Sequence, residues 1–324
     1  MCHLIYTDTF YMKRKWIRWV SWILLTPIIL FVILMVLLYV PPVQNLLRRE
    51  VTAYASKATG MQIQVERIDL RFPLNLLVRG VEVIQQPDTL LSLESLNVRV
   101  QAWPLIKGKV EVDEVTLSRV AVNSADLMEG MKIKGVLGRF FLQSHGVDLS
   151  NELAVINQVE LSDTHVQLLM NDTTTTPKDT TASAPINWKV ALHQLKLKNV
   201  SFSMQLPADS MRMAAHIGEA AIDDAQADLK NQYYDLKKFL LSGTSASYDT
   251  GTAQPAEGFD ASHIAVRDIR IALDSLLYKG RDMNAVIREF TMNERSGLSV
   301  TSLTGRAYSN DSVICVPGLK LNTP

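Results

Sequence analysis

From Gly60 onward apolar and polar residues alternate, and the alternation slips by one residue at intervals. The recurring unit is apolar, polar, apolar, two polar, apolar, polar, apolar. It stands at Ile63-Val65-Ile68-Leu70, Leu91-Leu93-Leu96-Val98, Val110-Val112-Val115-Leu117 and Leu195-Leu197-Val200-Phe202. Looser copies stand at Leu76-Val78-Val81-Val83, Val159-Leu161-Thr164-Val166, Ile264-Val266-Ile269-Ile271 and Ala285-Ile287-Phe290-Met292. About one full match is expected by chance in a chain this long, so four of them suggest a repeat.

On a helix, at about 100° per residue, these offsets scatter around the axis and make no face. On a strand each apolar pair lies on one face, and the extra residue has to be absorbed by a bulge or a two-residue turn. The middle pairs Lys198-Asn199 and Arg79-Gly80 suit a turn, and Glu66-Arg67 suits a bulge. Either way the expected fold is mainly β: a repetitive antiparallel sheet with one apolar face, curled by its bulges. Ile63, Val65, Ile68, Leu70, Leu195, Leu197, Val200 and Phe202 are the candidate lining of that face. The same residues would serve as the core of a closed sheet, and the pattern leaves open groove and closed core as alternatives.

Ahead of the repeats the rhythm is different. Between Trp19 and Gln44 there is no charged residue, and Ile23–Val40 is apolar apart from Thr26 and Pro27. About 20 such residues cross a hydrocarbon core of roughly 30 Å. Trp16, Trp19 and Trp22 at one end and Tyr39 at the other match interfacial aromatic belts, and Pro41-Pro42 stops the helix. A signal peptide would have a shorter apolar core and a close small-residue cleavage site, and Ala53-Tyr54-Ala55 lies too far downstream. Lys13, Arg14, Lys15 and Arg18 precede the run, which places the N-terminus in the cytoplasm and everything after Pro42 outside it.

The expected organisation is therefore a basic tip over 1–18, a transmembrane helix over 19–40, an amphipathic helix over 42–60, β-repeats over 61–170, a Thr-rich linker over 171–185 and further β-repeats over 186–324. Gly60 is a suitable residue just past the end of the short helix. Ser242–Gly258 is a second soft stretch. Leu229–Leu241 fits both a helix and the strand unit, and the strand is favoured. Gly135-Val136-Leu137-Gly138 and Asp223-Asp224 read as turns between strands.

Composition adds mostly exclusions. With 33 basic and 33 acidic residues the chain has no net field to hold a polyanion, so nucleic acid is not expected as a partner. Cys2 and Cys315, the two cysteines, do not make a disulfide framework or a thiolate metal site. The six histidines are at least twenty residues apart and form no metal-binding pair, with His165 and His193 at outward strand phases. No phosphate loop, dinucleotide fingerprint or nucleophile elbow occurs, so neither a nucleotide nor any other cofactor is expected. No catalytic residue is proposed, and the chain does not read as an enzyme.

The order of these segments resembles the AsmA-like superfamily, in particular the N-terminal region of TamB-type translocation and assembly proteins. Val40-Pro41-Pro42-Val43-Gln44-Asn45-Leu46-Leu47, the helix into Thr59-Gly60-Met61-Gln62-Ile63, and Leu77-Val78-Arg79-Gly80-Val81-Glu82-Val83 carry the resemblance. Leu90–Val100, Trp103-Pro104-Leu105 and Val110–Leu117 continue it, so it covers roughly residues 12–125, and the remainder follows only in its style of repeat. The resemblance implies a Gram-negative inner-membrane protein with a periplasmic β-groove. It implies membrane phospholipid acyl chains and an outer-membrane assembly protein as partners, in support of outer-membrane biogenesis. TamB-type chains are far longer, so on this view the sequence is either an N-terminal portion or a short AsmA-like protein with a different job. The competing expectation is an anchored β-sandwich that scaffolds an envelope complex without transporting anything.

Overall fold

The computed structural model describes residues 39–72, 74–101, 103–104, 111–124, 130–148, 151–170 and 187–324, together with Thr26, Ile29 and Val36. The basic tip 1–18, most of the membrane segment 19–40 and the linker 171–185 lie outside the described residues. Among the described residues no helix is long and apolar enough to cross a membrane.

Helix α1 spans Pro41–Thr59. It starts where proline can take the first helical position after an extended Val40, and it ends at Gly60, whose φ of 70° lets its N–H reach Ser56 O. Strands follow in close succession: β1 Gln62–Arg71, β2 Asn75–Gln85, β3 Asp88–Val100, β4 Val112–Asn123, β5 Met131–Asp148 and β6 Leu153–Met170. Then come β7 Lys189–Leu206, β8 Met211–Asp228, β9 Tyr233–Asp249, β10 His263–Lys279 and β11 Asp282–Glu294. The short strands β12 Ser299–Val300, β13 Ser302–Ser309, β14 Ile314–Cys315 and β15 Lys320–Asn322 end the chain. All fifteen belong to one curled sheet in which β1 to β11 stand side by side in chain order, followed by β13 and β14. Each strand packs chiefly on its two sheet neighbours, so the sheet is a single layer.

One pairing departs from the antiparallel expectation. Strands β6 and β7 run parallel, in unbroken register from Leu153↔Lys189 to Leu169↔Gln205. An antiparallel pair needs only a hairpin, whereas the 18 residues between Met170 and Lys189 meet the longer crossover that a parallel pair requires. The segments on either side of residues 171–185 are thus neighbours in the same sheet.

The slip in the hydrophobic pattern has a structural counterpart. The ladder skips Glu66/Gly80, Gly80/Glu94, Glu94/Arg119, Arg119/Gly138, Gly138/Asp163, Asp163/Asn199 and Asn199/Gly218, so one missing rung runs straight across eight strands. It continues to Gly243 and Asp268. Along this crease Gly80, Arg119, Asp163, Asn199, Gly243 and Asp268 have φ between 46° and 59°. A left-handed residue costs about 1–2 kcal/mol with a Cβ and little without, and Asn and Asp tolerate it best, which accounts for the residue types except Arg119. Asn199 Nδ2 donates to Asp163 Oδ1 at 2.8 Å, and Arg119 forms an ion pair with Glu94.

The turn readings are corrected accordingly. Arg79-Gly80, Lys198-Asn199 and Gly135–Gly138 lie inside strands, because the extra residue kinks the strand without reversing it. Asp223-Asp224 lies inside β8, where Asp224 (φ 53°) belongs to a second, shorter crease through His193 and Lys237. Ser242–Asp249 is strand, with Gly243 in the main crease. In the ambiguous stretch, β9 takes Tyr233–Leu241 and residues 229–232 form the turn before it.

Candidate functional site: an uncovered apolar face

Ladder partners share a face, so the register shows which residues stand in one row. One row runs Leu70, Leu76, Val98, Val115, Leu142, Val159, Leu195 and Ile222. The next runs from Ile68 through Val78, Leu96, Leu117, Phe140 and Leu161 to Leu197. Beyond the crease a third row joins Val65 to Val200, and a fourth joins Ile63 to Phe202. The two candidate quartets, far apart in sequence, therefore occupy the same four rows of the same face. From β1 to β8 these rows contain a single polar side chain, Thr164, whose hydroxyl donates to Ser162 O at 3.2 Å.

The opposite face is polar. One of its rows reads Arg67, Arg79, Ser95, Ser118, Arg139, Ser162, Lys198 and Glu219. His165 and His193 are exposed on this side, with His193 Nδ1 3.0 Å from Asp224 Oδ1. That pair arises from the second crease and is more than half exposed, so it is a solvated contact on the polar face.

Among the described residues no second layer covers the apolar face. Of the eight candidate lining residues only Ile68 is buried, at 8% exposure, and Phe202 is 40% exposed. Among the described residues no large side chain is fully buried. Among the described residues the strands form one sheet, with no second sheet packed against it as in a sandwich. The face also broadens along the sheet. β1 has 10 residues and β5 to β8 have 18 each. The added length brings further apolar partners such as Met204↔Met213 and Leu192↔Ala225.

The two edges of the sheet differ. At β1 the free backbone groups are met by α1: Gln44 Nε2 donates to Leu70 O at 3.0 Å, Arg48 Nη1 to Glu66 O at 2.8 Å, and Ser56 Oγ accepts from Ile63 N at 3.1 Å. Such a cover removes a pairing template. At the other edge Ile314 is 82% exposed and Leu321 52%.

The pattern of apolar residues gave no signal for a polar latch at one end of the later strands. Glu294 accepts from Ser296 N at 2.6 Å and Ala265 N at 3.2 Å, and the Ser296 side chain first, then these N–H groups, hold its carboxyl at about 2. Asp260 is also lowered to about 2, first by Ala256 N–H and then by the buried His263 ring at 2.9 Å. Both carboxylates fasten loops between strands. Among the described residues no three His, Cys, Asp or Glu side chains gather as a metal site would need. Set against known protein families and curated proteins, the chain matches none.

Proposed function

We propose that this chain is a membrane-anchored β-trough whose apolar face carries phospholipid acyl chains. It serves outer-membrane biogenesis from the periplasmic side of the inner membrane, by moving lipid between membranes or by sheltering outer-membrane proteins on their way to insertion. The observation that carries the reading is the unbroken set of apolar rows from Ile63–Leu70 to Leu195–Phe202 on a single-layer sheet. An uncovered apolar surface of this extent calls for an apolar occupant. Each methylene withdrawn from water contributes roughly 0.8 kcal/mol. A lipid arriving from a bilayer was already withdrawn, so exchange between bilayer and trough is close to neutral. Neutral exchange suits a transfer surface and needs no titratable machinery.

The test places a benzophenone photocrosslinking amino acid in the full chain, in cells of a Gram-negative host. Leu197, Val200 and Phe202 are the inner positions, and Lys196 and Ser201, their strand neighbours on the polar face, are the controls. Lipid adducts at the inner positions alone are the expected result. Adducts to polypeptide at the same positions would shift the reading to protein assembly, and equal labelling of both faces would overturn it.

A further inference from the structure

Among the described elements helix α1 packs on β1 and leaves its second side uncovered. Gln44, Arg48 and Ser56 turn toward β1, whereas Leu46, Leu47, Val51 and Tyr54 are 58%, 42%, 47% and 77% exposed. At about 100° per residue these four fall within an arc of roughly 140° facing away from the sheet, a mainly apolar stripe that also holds Val43 and Ala58 and is crossed by Glu50 and Lys57. Beside the start of the helix Phe72, 84% exposed at the end of β1, packs edge-on to Tyr39 at 6.5 Å between ring centroids. Tyr39 and Val40 are the last residues of the apolar run that leads into Pro41. The helix contains Arg48, Arg49 and Lys57 against one acid, Glu50.

We infer that this outer stripe of α1, with Phe72, is a docking face for the surface of a lipid bilayer. Three observations select a bilayer over a protein partner. The helix that carries the stripe begins one residue after an apolar run long enough to cross a membrane, so the chain delivers it to the bilayer surface. Its composition, apolar and aromatic on one side with an excess of basic residues, suits a helix lying in the headgroup region next to anionic lipid. The exposed Phe72 and Tyr54 are the residue class that settles at that depth.

The geometry then orients the whole trough. With α1 flat on the membrane, β1 lies parallel to it, and each following strand stands about 4.8 Å further out. Thirteen strands in line carry the far edge to roughly 60 Å from the bilayer. The apolar rows, which cross the strands, then lead straight away from the membrane, so their first members Ile63–Leu70 open beside the headgroups. This inference rests on the anchor in the proposed function and is independent of the cargo.

The experiment uses the full chain with Cys2→Ser and Cys315→Ser, reconstituted in vesicles of phosphatidylethanolamine and phosphatidylglycerol at three to one. Single cysteines replace Leu47, Val51 or Tyr54, and Lys230 in the β8–β9 turn as the water-exposed control. Each carries a nitroxide whose collisions with oxygen and with a water-soluble nickel chelate are compared. The three stripe positions should show an oxygen-to-nickel ratio at least threefold above that of Lys230. Ratios equal to the control, in chains that float with the vesicles, would overturn the docking face while leaving the anchor standing. Chains that fail to float would overturn both.

Discussion

The crease makes a sharp prediction at Gly138. Its backbone has no left-handed requirement, so the cost of a side chain there is purely steric. A Cβ at Gly138 would stand 2.7 Å from Asp163 Cβ, 2.9 Å from Asp163 O and 3.1 Å from Ser162 O. Two of these three obstacles are carbonyl oxygens of the neighbouring strand, which cannot swing aside as a side-chain tip can. Overpacking of this kind typically costs about 1–3 kcal/mol, and the rigid obstacles place Gly138→Ala at about 2–3 kcal/mol. Gly135, on the same strand, is the internal control: its nearest obstacle is His165 O at 3.4 Å, and alanine there should cost little or gain slightly by restricting the unfolded chain. The assay is hydrogen exchange by mass spectrometry on peptides of β5 and β6, because a single-layer sheet opens locally and need not unfold as one unit. A loss of about 2–3 kcal/mol speeds exchange by roughly 30- to 150-fold. Gly138→Ala should show that acceleration in both strands and Gly135→Ala should not. Exchange in Gly138→Ala within threefold of the parent would refute a close-approach crease at this rung.

Two further outcomes follow from the edge and the latch. Replacing Gln44 and Arg48 by alanine removes the donors to Leu70 O and Glu66 O, bonds that contribute about 1 kcal/mol each where water can replace them. Exchange in β1 should quicken several-fold with β5–β8 unchanged, and the freed edge should promote self-association on size-exclusion chromatography; an unaltered β1 would show that the helix does not guard it. Glu294 and Asp260 have folded pKa values below their ordinary 4.5 and 3.8, both at about 2, so their contribution is complete above the ordinary values and is lost as pH falls toward 2. Protection of residues 256–266 and 294–300, corrected for intrinsic exchange rates, should decline across that window; Glu294→Gln should already lack its share at neutral pH, and a pH response identical to the parent would count against the latch.

What could be read from the sequence was whatever depended on period. Ile63-Val65-Ile68-Leu70 and Leu195-Leu197-Val200-Phe202 announced strands with one apolar face, and Gly60 announced the end of α1. The doubled polar step announced a break in the alternation but not its form, because a bulge and a turn need the same residues: Gly, Asn and Asp at positive φ. Only the neighbours decide, and in the sheet Gly80 faces Glu66 and Glu94, each out of step at the same height. The parallel entry of β7 was hidden for a similar reason, since pairing direction depends on where the chain returns and alternation is the same in both. The Glu294 and Asp260 latches were invisible because their partners are mainly backbone N–H groups, which carry no residue signature.

Whether the face is open or closed depends on area, which no single repeat contains. Closing such a sheet would require its two edges to meet or a second layer to cover it. Among the described residues helix α1 lies along the β1 edge, and it turns polar side chains toward the strand. Stability must then come from neighbour-to-neighbour terms, ladder bonds and half-buried pairs such as Leu96↔Leu117 and Leu161↔Leu197, repeated strand after strand. A fold of this kind keeps its shape with its apolar face empty, since no core has to be completed first. It also gains stability from any apolar occupant, by RT ln(1 + [L]/Kd) for each site filled. On the proposed reading an occupied trough is more rigid than an empty one, and the rows that would bind the cargo are the same rows that hold the strands together.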